Sequence, residues 1–249
     1  MLICSLVTKN ESKRYLESFL EWNSRWWDEL FVYDDNSTDN TLEICESYTS
    51  HIYSKPDDVP SFIENESGFR SDAYQTLEKA LGLTTDDWVF SLDADEYLVG
   101  PKGTVDPRPV IDFDISTATS GQLSSVDIGI PEIWELGGAG VYIRTDGYWN
   151  QMSLPRLWRY NSNWMFRKKP MGCGSGPSHT YTRLLKSSEL RILHAGYADP
   201  EDRQAKYDRY TSLPNHGHNP KHIKSIISKP VKERWEGEVP KIWRGRIDD

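Results

Sequence analysis

Trp88-Val89-Phe90-Ser91-Leu92 runs directly into Asp93-Ala94-Asp95-Glu96. The first five residues have the apolar character of a buried strand. Carboxylates at positions i and i+2 after such a strand can face one crevice as the chain turns. Their oxygens are hard ligands suited to Mg²⁺ or Mn²⁺, ions that usually bridge to phosphate oxygens. Alone, the pattern also describes two surface acids capping a helix, so its neighbours decide the reading.

Upstream, strands and helices alternate. Leu2-Ile3-Cys4-Ser5-Leu6-Val7 reads as a buried strand ending at Thr8-Lys9-Asn10-Glu11. From Ser12 to Ser24, apolar residues at Tyr15, Leu16, Phe19, Leu20 and Trp22 describe one face of a helix. Glu29-Leu30-Phe31-Val32-Tyr33 is a second strand, ending in the polar turn Asp34-Asp35-Asn36-Ser37-Thr38-Asp39. Thr38 or Asp39 is placed to start a helix carrying Leu42, Ile44 and Cys45. His51-Ile52-Tyr53 is a third strand, and a helix is expected from Gly68 to Leu81. The class is therefore α/β, a Rossmann-like and mainly parallel sheet with helices on both faces. Ligands in such sheets bind at the C-terminal strand edges, where these polar turns lie.

Downstream of Pro101 the pattern weakens. Glycine, proline and tryptophan punctuate residues 101–180, which read as irregular or antiparallel structure. A strand is expected from Ser187 to Leu193, leading into His194-Ala195-Gly196-Tyr197, and a helix from Pro200 to Tyr210. The Lys- and Pro-rich tail from Pro214 is expected to wrap over the surface.

Three pieces in order resemble the nucleotide-binding half of family 2 glycosyltransferases of the GT-A fold: the first strand with Thr8-Lys9-Asn10-Glu11, the turn Asp34 to Asp39, and Phe90 to Glu96. The resemblance covers residues 1–100, with a further piece at Ile192 to Tyr197. It implies that Thr8, Asn10, Glu11, Asp34, Asp35, Arg70 and Asp93 bind the nucleotide-sugar donor, with Asp34 or Asp35 on the nucleobase and a UDP-sugar as that donor. It also implies Mn²⁺ or Mg²⁺ held by Asp93, Asp95 and His194. Residues 1–100 would form the nucleotide-sugar-binding half, residues 101–213 the acceptor-side half completing the same domain, and residues 214–249 a basic tail.

An inverting enzyme needs a carboxylate to deprotonate the acceptor hydroxyl. Asp127, Glu132, Glu135, Asp146 and Glu189 are available, and spacing does not separate them. Asp146, Glu132 and His179, the last beside the glycine-rich Gly172 to Ser178, are the catalytic candidates. The sequence leaves inversion and retention open.

Charge suggests what the later half meets. Residues 1–149 carry 10 Lys/Arg against 28 Asp/Glu, whereas residues 150–249 carry 19 against 10, so the second half suits an anionic partner. Rings and bases interleave at Tyr148, Trp149, Arg156, Trp158, Arg159, Tyr160, Trp164, Phe166, Arg167, Lys168 and Lys169. That mixture suits nucleic acid, and equally a sugar site or a hairpin with rings inward. The expected activity is hexose transfer, with a hydroxymethylated pyrimidine in DNA as the acceptor, as in a phage-type enzyme that extrudes or reaches its base. Alternatives are a surface glycan or protein acceptor, or an inactive donor-binding module. A nucleotidyltransferase would need a glycine- and base-rich phosphate loop, which Thr8-Lys9-Asn10-Glu11 is not. The N-terminal apolar run is too short for a signal peptide, no 18-residue apolar stretch occurs, and Cys4, Cys45 and Cys173 lack metal-ligand spacing. A soluble cytoplasmic protein, in the host cytoplasm if viral, with reduced thiols is expected.

Overall fold

A computed structural model describes residues 1–100, 106–137, 140–150, 152–163, 166, 176, 184–212 and 219–238. The first half alternates as its apolar runs dictate: β1 (Leu2–Thr8), α1 (Leu16–Asn23), β2 (Glu29–Asp34), α2 (Thr41–Glu46), β3 (His51–Ser54), α3 (Glu66–Leu81) and β4 (Trp88–Asp93). Ile3, Cys4 and Leu6 of β1, Phe31 and Val32 of β2, and Val89, Phe90 and Leu92 of β4 are all completely buried. Strands covered on both faces give continuous apolar runs of this kind. Helix α3 begins two residues before the expected start, because Asn65 caps it by accepting the Gly68 N–H at 3.1 Å. It ends at Gly82, whose φ of 58° suits a residue without Cβ.

After β4 the chain forms β5 (Glu96–Val99), α4 (Arg108–Ser120), β6 (Ser125–Gly129), β7 (Ile133–Gly137), β8 (Gly140–Arg144) and β9 (Ser153–Arg159). Then come β10 (Leu184–His194), α5 (Pro200–Ser212), α6 (Pro220–Ile226) and β11 (Lys232–Arg234). The main sheet has the order β3-β2-β1-β4-β9-β6-β10-β5. Its first four strands are parallel, β9 runs antiparallel to both β4 and β6, β6 is parallel to β10, and β5 closes the far edge antiparallel to β10. A smaller antiparallel sheet, β11-β8-β7, stands beside it.

Two expectations need correction. Residues 108–120, expected to be irregular or antiparallel, form α4, which buries Ile111, Asp114 and Ala118. The helix was hidden by its Thr, Ser, Val and Ile residues, which are weak helix formers; packing against β6 and β10 outweighs that preference. Residues 220–226, expected to trail over the surface, form α6, capped by the Asn219 side chain and anchored through Ile223 and Ile226.

Strand β9 also settles the role of much of the ring-and-base stretch. It lies in the middle of the sheet, with Trp158 and Arg156 buried, while Arg159 turns back to the Thr85 carbonyl and Asp86. Trp149 and Tyr160 are buried as well. Trp164, Arg167, Lys168, Lys169, His179 and the basic residues after 238 lie outside the described residues. Among the described residues, no helix is long and apolar enough to cross a membrane.

Candidate functional site

The parallel register brings the ends of β1, β2 and β4 level, with Thr8 opposite Asp34 and Val7 opposite Asp93. Thr8 donates to Asp34 Oδ1 at 3.0 Å, and the Ser37 N–H and hydroxyl donate to the Asp34 carboxylate at 2.7 and 2.5 Å. Asp34 therefore knits its own turn together. Asn10, at φ 53°, accepts the Thr38 N–H at 2.8 Å, which ties the first loop to the second. Asp35 takes Lys9 at 3.1 Å and the Phe62 N–H at 3.1 Å through Oδ2, while its buried Oδ1 has no hydrogen-bond partner among the described residues. A buried acceptor without a donor is costly, so Asp35 is the turn acid with an oxygen to offer.

Arg70 reaches this floor from the first turns of α3. It is 3% exposed, pairs with Glu66 at 3.0 Å, lies over the Phe62 ring, and approaches Asp93 Oδ1 at 3.6 Å. Beneath the acidic loop, Glu96 Oε2 accepts the Asp93 N–H at 2.9 Å while Oε1 pairs with Arg156, a residue only 4% exposed. Burial pushes the Glu96 carboxyl up to about 7 even with Arg156 beside it, and Asp93 adds to the rise. The backbone of one ligand candidate is thus held from below by a buried ion pair. Sequence reasoning missed Glu96 and Arg156 in this role; the only signals were Glu96 next to Asp95 and an arginine in an apolar strand.

Asp95 and His194 meet across β5 and β10. The register sets His194 opposite Glu96, and the Ala195 N–H donates to the Asp95 carbonyl at 2.8 Å. His194 Nε2 lies 3.3 Å from Asp95 Oδ2, and its Nδ1 lies 2.5 Å from Oε2 of Glu132, which is 1% exposed. Glu132, one of the candidate bases, thus sits behind the imidazole as a close ion-pair partner. Burial would lower the His194 pKa, but the carboxylates of Glu132 and Asp95 hold it well above the usual value. Burial likewise opposes ionisation of Asp95, yet His194, with Lys206 and Arg14 farther off, holds its carboxyl far below the usual range. Glu11 is pushed up to about 7, by burial first and by Asp95 and Asp93, against the pull of Arg14 and Lys206.

The remaining acids are engaged elsewhere. Asp146 grips Arg144 through two bonds of 2.5 and 2.8 Å, and that guanidinium lies over Trp134 and Trp149. Asp127 accepts the Ser153 hydroxyl at 2.9 Å, and Glu135 pairs with Lys232. Glu189 is exposed on β10. His179 is outside the described residues.

The donor chemistry at Asp95 and His194 fits a divalent cation. Carboxylate and imidazole converge, and the imidazole is backed by an acid, the usual arrangement behind a metal-bound histidine. Asp93 Oδ1 is buried without a hydrogen bond among the described residues and leans towards Arg70, so it does not join the other two as the side chains stand. Among the described residues, no three His, Cys, Asp or Glu side chains gather closely enough to hold an ion.

Residues 6–99, which contain every turn just described up to Glu96, match the profile of glycosyl transferase family 2. This stretch, less than half of the chain, is similar to the glycosyltransferases of family 2. The fold is of the GT-A kind, a mainly parallel first half continued by antiparallel strands. No curated protein matches the chain. Among solved structures, S. aureus TarS is similar with a TM-score of 0.51 at 16% identity, over 91% of this chain and 42% of that one. TarS 1–349 in complex with UDP-GlcNAc gives 0.45 at 16% identity, over 91% of this chain and 70% of that one. Glucosyl-3-phosphoglycerate synthase from Mycobacterium tuberculosis, in complex with Mn²⁺ and UDP-glucose, gives 0.34 at 19% identity, over 56% and 45%. At such identities the likeness speaks for the fold alone. The chain thus spans less than half the length of the longer TarS chain.

Proposed function

We propose that the protein moves a hexose from a UDP-sugar to an acceptor hydroxyl with the help of Mn²⁺ or Mg²⁺. The observation that carries this reading is the line Glu132–His194–Asp95, set beside Asp93 at the C-terminal edge of a family 2 sheet. The choice of uridine rests on the resemblance of the donor-side turns to family 2 glycosyltransferases.

In this reading Asp35 receives the nucleobase through its unpartnered Oδ1, because both Asp34 oxygens already serve Thr8 and Ser37. Thr8, Asn10 and Asp34 shape the pocket, Arg70 meets the nucleotide from the side, and Glu11 lines the floor. Asp95 and His194 hold the ion, and Asp93 completes the set once it turns from Arg70. A divalent cation there would supply positive charge to the departing diphosphate. Glu132 fixes which imidazole nitrogen faces the ion and does not itself meet the acceptor. Asp146 is kept as a candidate base only against its bidentate hold on Arg144.

For the acceptor, a glycan or protein hydroxyl is placed above a hydroxymethylated pyrimidine in DNA. Arg156, Trp158, Trp149 and Tyr160, part of the stretch that suggested nucleic acid, face inward. The test is purified protein with Mn²⁺ and a panel of nucleotide sugars, offered DNA containing 5-hydroxymethylcytosine, ordinary DNA and glycan acceptors. Mass spectrometry reads added hexose, and nucleotide release reads slow hydrolysis. Hexose on the modified base alone restores the DNA acceptor. No transfer and no metal-dependent release, with donor binding retained, converts the reading to a binding module.

A further inference from the structure

Helix α5 carries a cation to the rim of the acid pair. Its first turn is tied to the β1 loop: Asp202 lies 3.6 Å from Arg14 and accepts the Tyr15 hydroxyl at 3.4 Å. Lys206 follows four residues later, one helical turn along the same face. Its amine lies 4.2 Å from the centroid of Tyr197, whose ring in turn meets His194 edge-on. A Cβ placed on Gly196 would fall 2.3 Å from Lys206 Nζ, 2.4 Å from Asp95 Oδ2 and 2.7 Å from His194 Nε2. Gly196 therefore has no room for a side chain, because an amine, a carboxylate and an imidazole already close over its Cα.

The other cations around the acids already have carboxylate partners. Arg14 pairs with Glu11 and Asp202, Arg70 with Glu66 and Asp93, and Arg156 with Glu96. Lys206 makes no ion pair among the described residues; its recorded neighbour is the Tyr197 ring. A floor of Glu11, Asp93 and Asp95 would repel a diphosphate, and a positive charge at the rim offsets that repulsion where the phosphates must enter.

We propose that Lys206 is a donor-binding residue that contacts the diphosphate of the nucleotide sugar at the rim of the Asp95–His194 pair. This rests on the UDP-sugar reading above. As the sugar leaves, negative charge grows on the diphosphate, so the same amine stabilises the leaving group more strongly in the transition state than in the ground state. Gly196 is needed because any side chain there would push Lys206, Asp95 and His194 apart.

The test compares binding of UDP and of uridine, by calorimetry or competition, to wild type, Lys206→Met and Lys206→Arg in the presence of Mn²⁺ at two salt concentrations. Methionine keeps the apolar stem over Tyr197 and removes only the charge. Lys206→Met should weaken UDP binding about tenfold or more, as expected for a charge-assisted contact. It should leave uridine binding within about twofold and reduce the salt dependence of UDP binding. Lys206→Arg should restore most of the loss. Unchanged UDP binding in Lys206→Met overturns the inference, and so does an equal loss of UDP and uridine, which would mean a structural role. A wild-type protein that binds uridine and UDP alike shows that no diphosphate contact exists. Wild type that binds neither overturns the donor reading itself, and this inference with it.

Discussion

Glu132→Gln is the substitution that asks most of the proposed site. The exchange keeps the size of the side chain, and the backbone around it is held independently. The Arg144 N–H donates to the Glu132 carbonyl at 3.0 Å, and the His194 N–H donates to the Pro131 carbonyl at 3.2 Å. What changes is the charge 2.5 Å from His194 Nδ1. Truncating one partner of a buried pair costs about 3–5 kcal/mol. Glutamine still offers an acceptor, and His194 can lose its proton, so about 1–3 kcal/mol is the expected loss of stability. The sign follows from His194, whose pKa is raised in the folded protein by Glu132 and Asp95. Its stabilising share is complete below the unfolded value of about 6.5 and fades as pH rises through the folded value. Denaturant unfolding in metal-free buffer should therefore separate variant from wild type most at pH 6 and progressively less in alkaline buffer. Metal affinity, measured by titrating Mn²⁺ into the UDP-saturated protein, should fall by about 10- to 100-fold, the usual consequence of losing the acid behind a ligating histidine. A variant with wild-type Mn²⁺ affinity and no loss of stability at pH 6 would refute the role given to Glu132.

Asp95→Asn should lower transfer, or donor hydrolysis, by at least about 100-fold while leaving the circular dichroism spectrum unchanged; activity within a few fold of wild type would remove Asp95 from the ion. Arg156→Met should destabilise the protein by about 3–5 kcal/mol at pH 8, because it strands the buried Glu96 carboxylate, and by less at pH 5.5, where Glu96 (pKa about 7 in the fold) takes a proton. Equal losses at the two pH values in urea unfolding would contradict that account. Asp146→Asn should reduce stability by about 1–3 kcal/mol through Arg144 and leave turnover within a few fold. A loss of turnover by a thousandfold with stability intact would instead make Asp146 the acceptor's base.

Much of the donor half was legible because its signals are local. Apolar runs such as Leu2 to Val7 and Trp88 to Leu92 report burial on both faces, and the polar residues following them mark strand ends directly. The expected α/β class follows from that alternation and the GT-A expectation from the resemblance of the turns to family 2 enzymes, and the family profile covers the same region, residues 6–99. The C-terminal elements were harder. Helix α4 is rich in residues of low helix propensity, and α6 is seven residues long in a Lys- and Pro-rich stretch, so packing rather than local preference stabilises both.

By itself, the sequence determined which residues end the strands and which of them have the chemistry for an ion and a diphosphate: Asp93, Asp95, His194 and the turn acids. Tertiary structure alone decided which partners those groups meet. Residues 37 positions apart, Asp95 and Glu132, are brought to the same imidazole only because β5 and the segment after β6 both border β10. The sheet spends Asp34 on its own turn and leaves Asp35 an open oxygen, buries Arg156 under Asp93, and hangs Lys206 over Gly196. Side-chain type is written one residue at a time, but charge pairing and burial depend on neighbours distant in the chain, and folding is what supplies them.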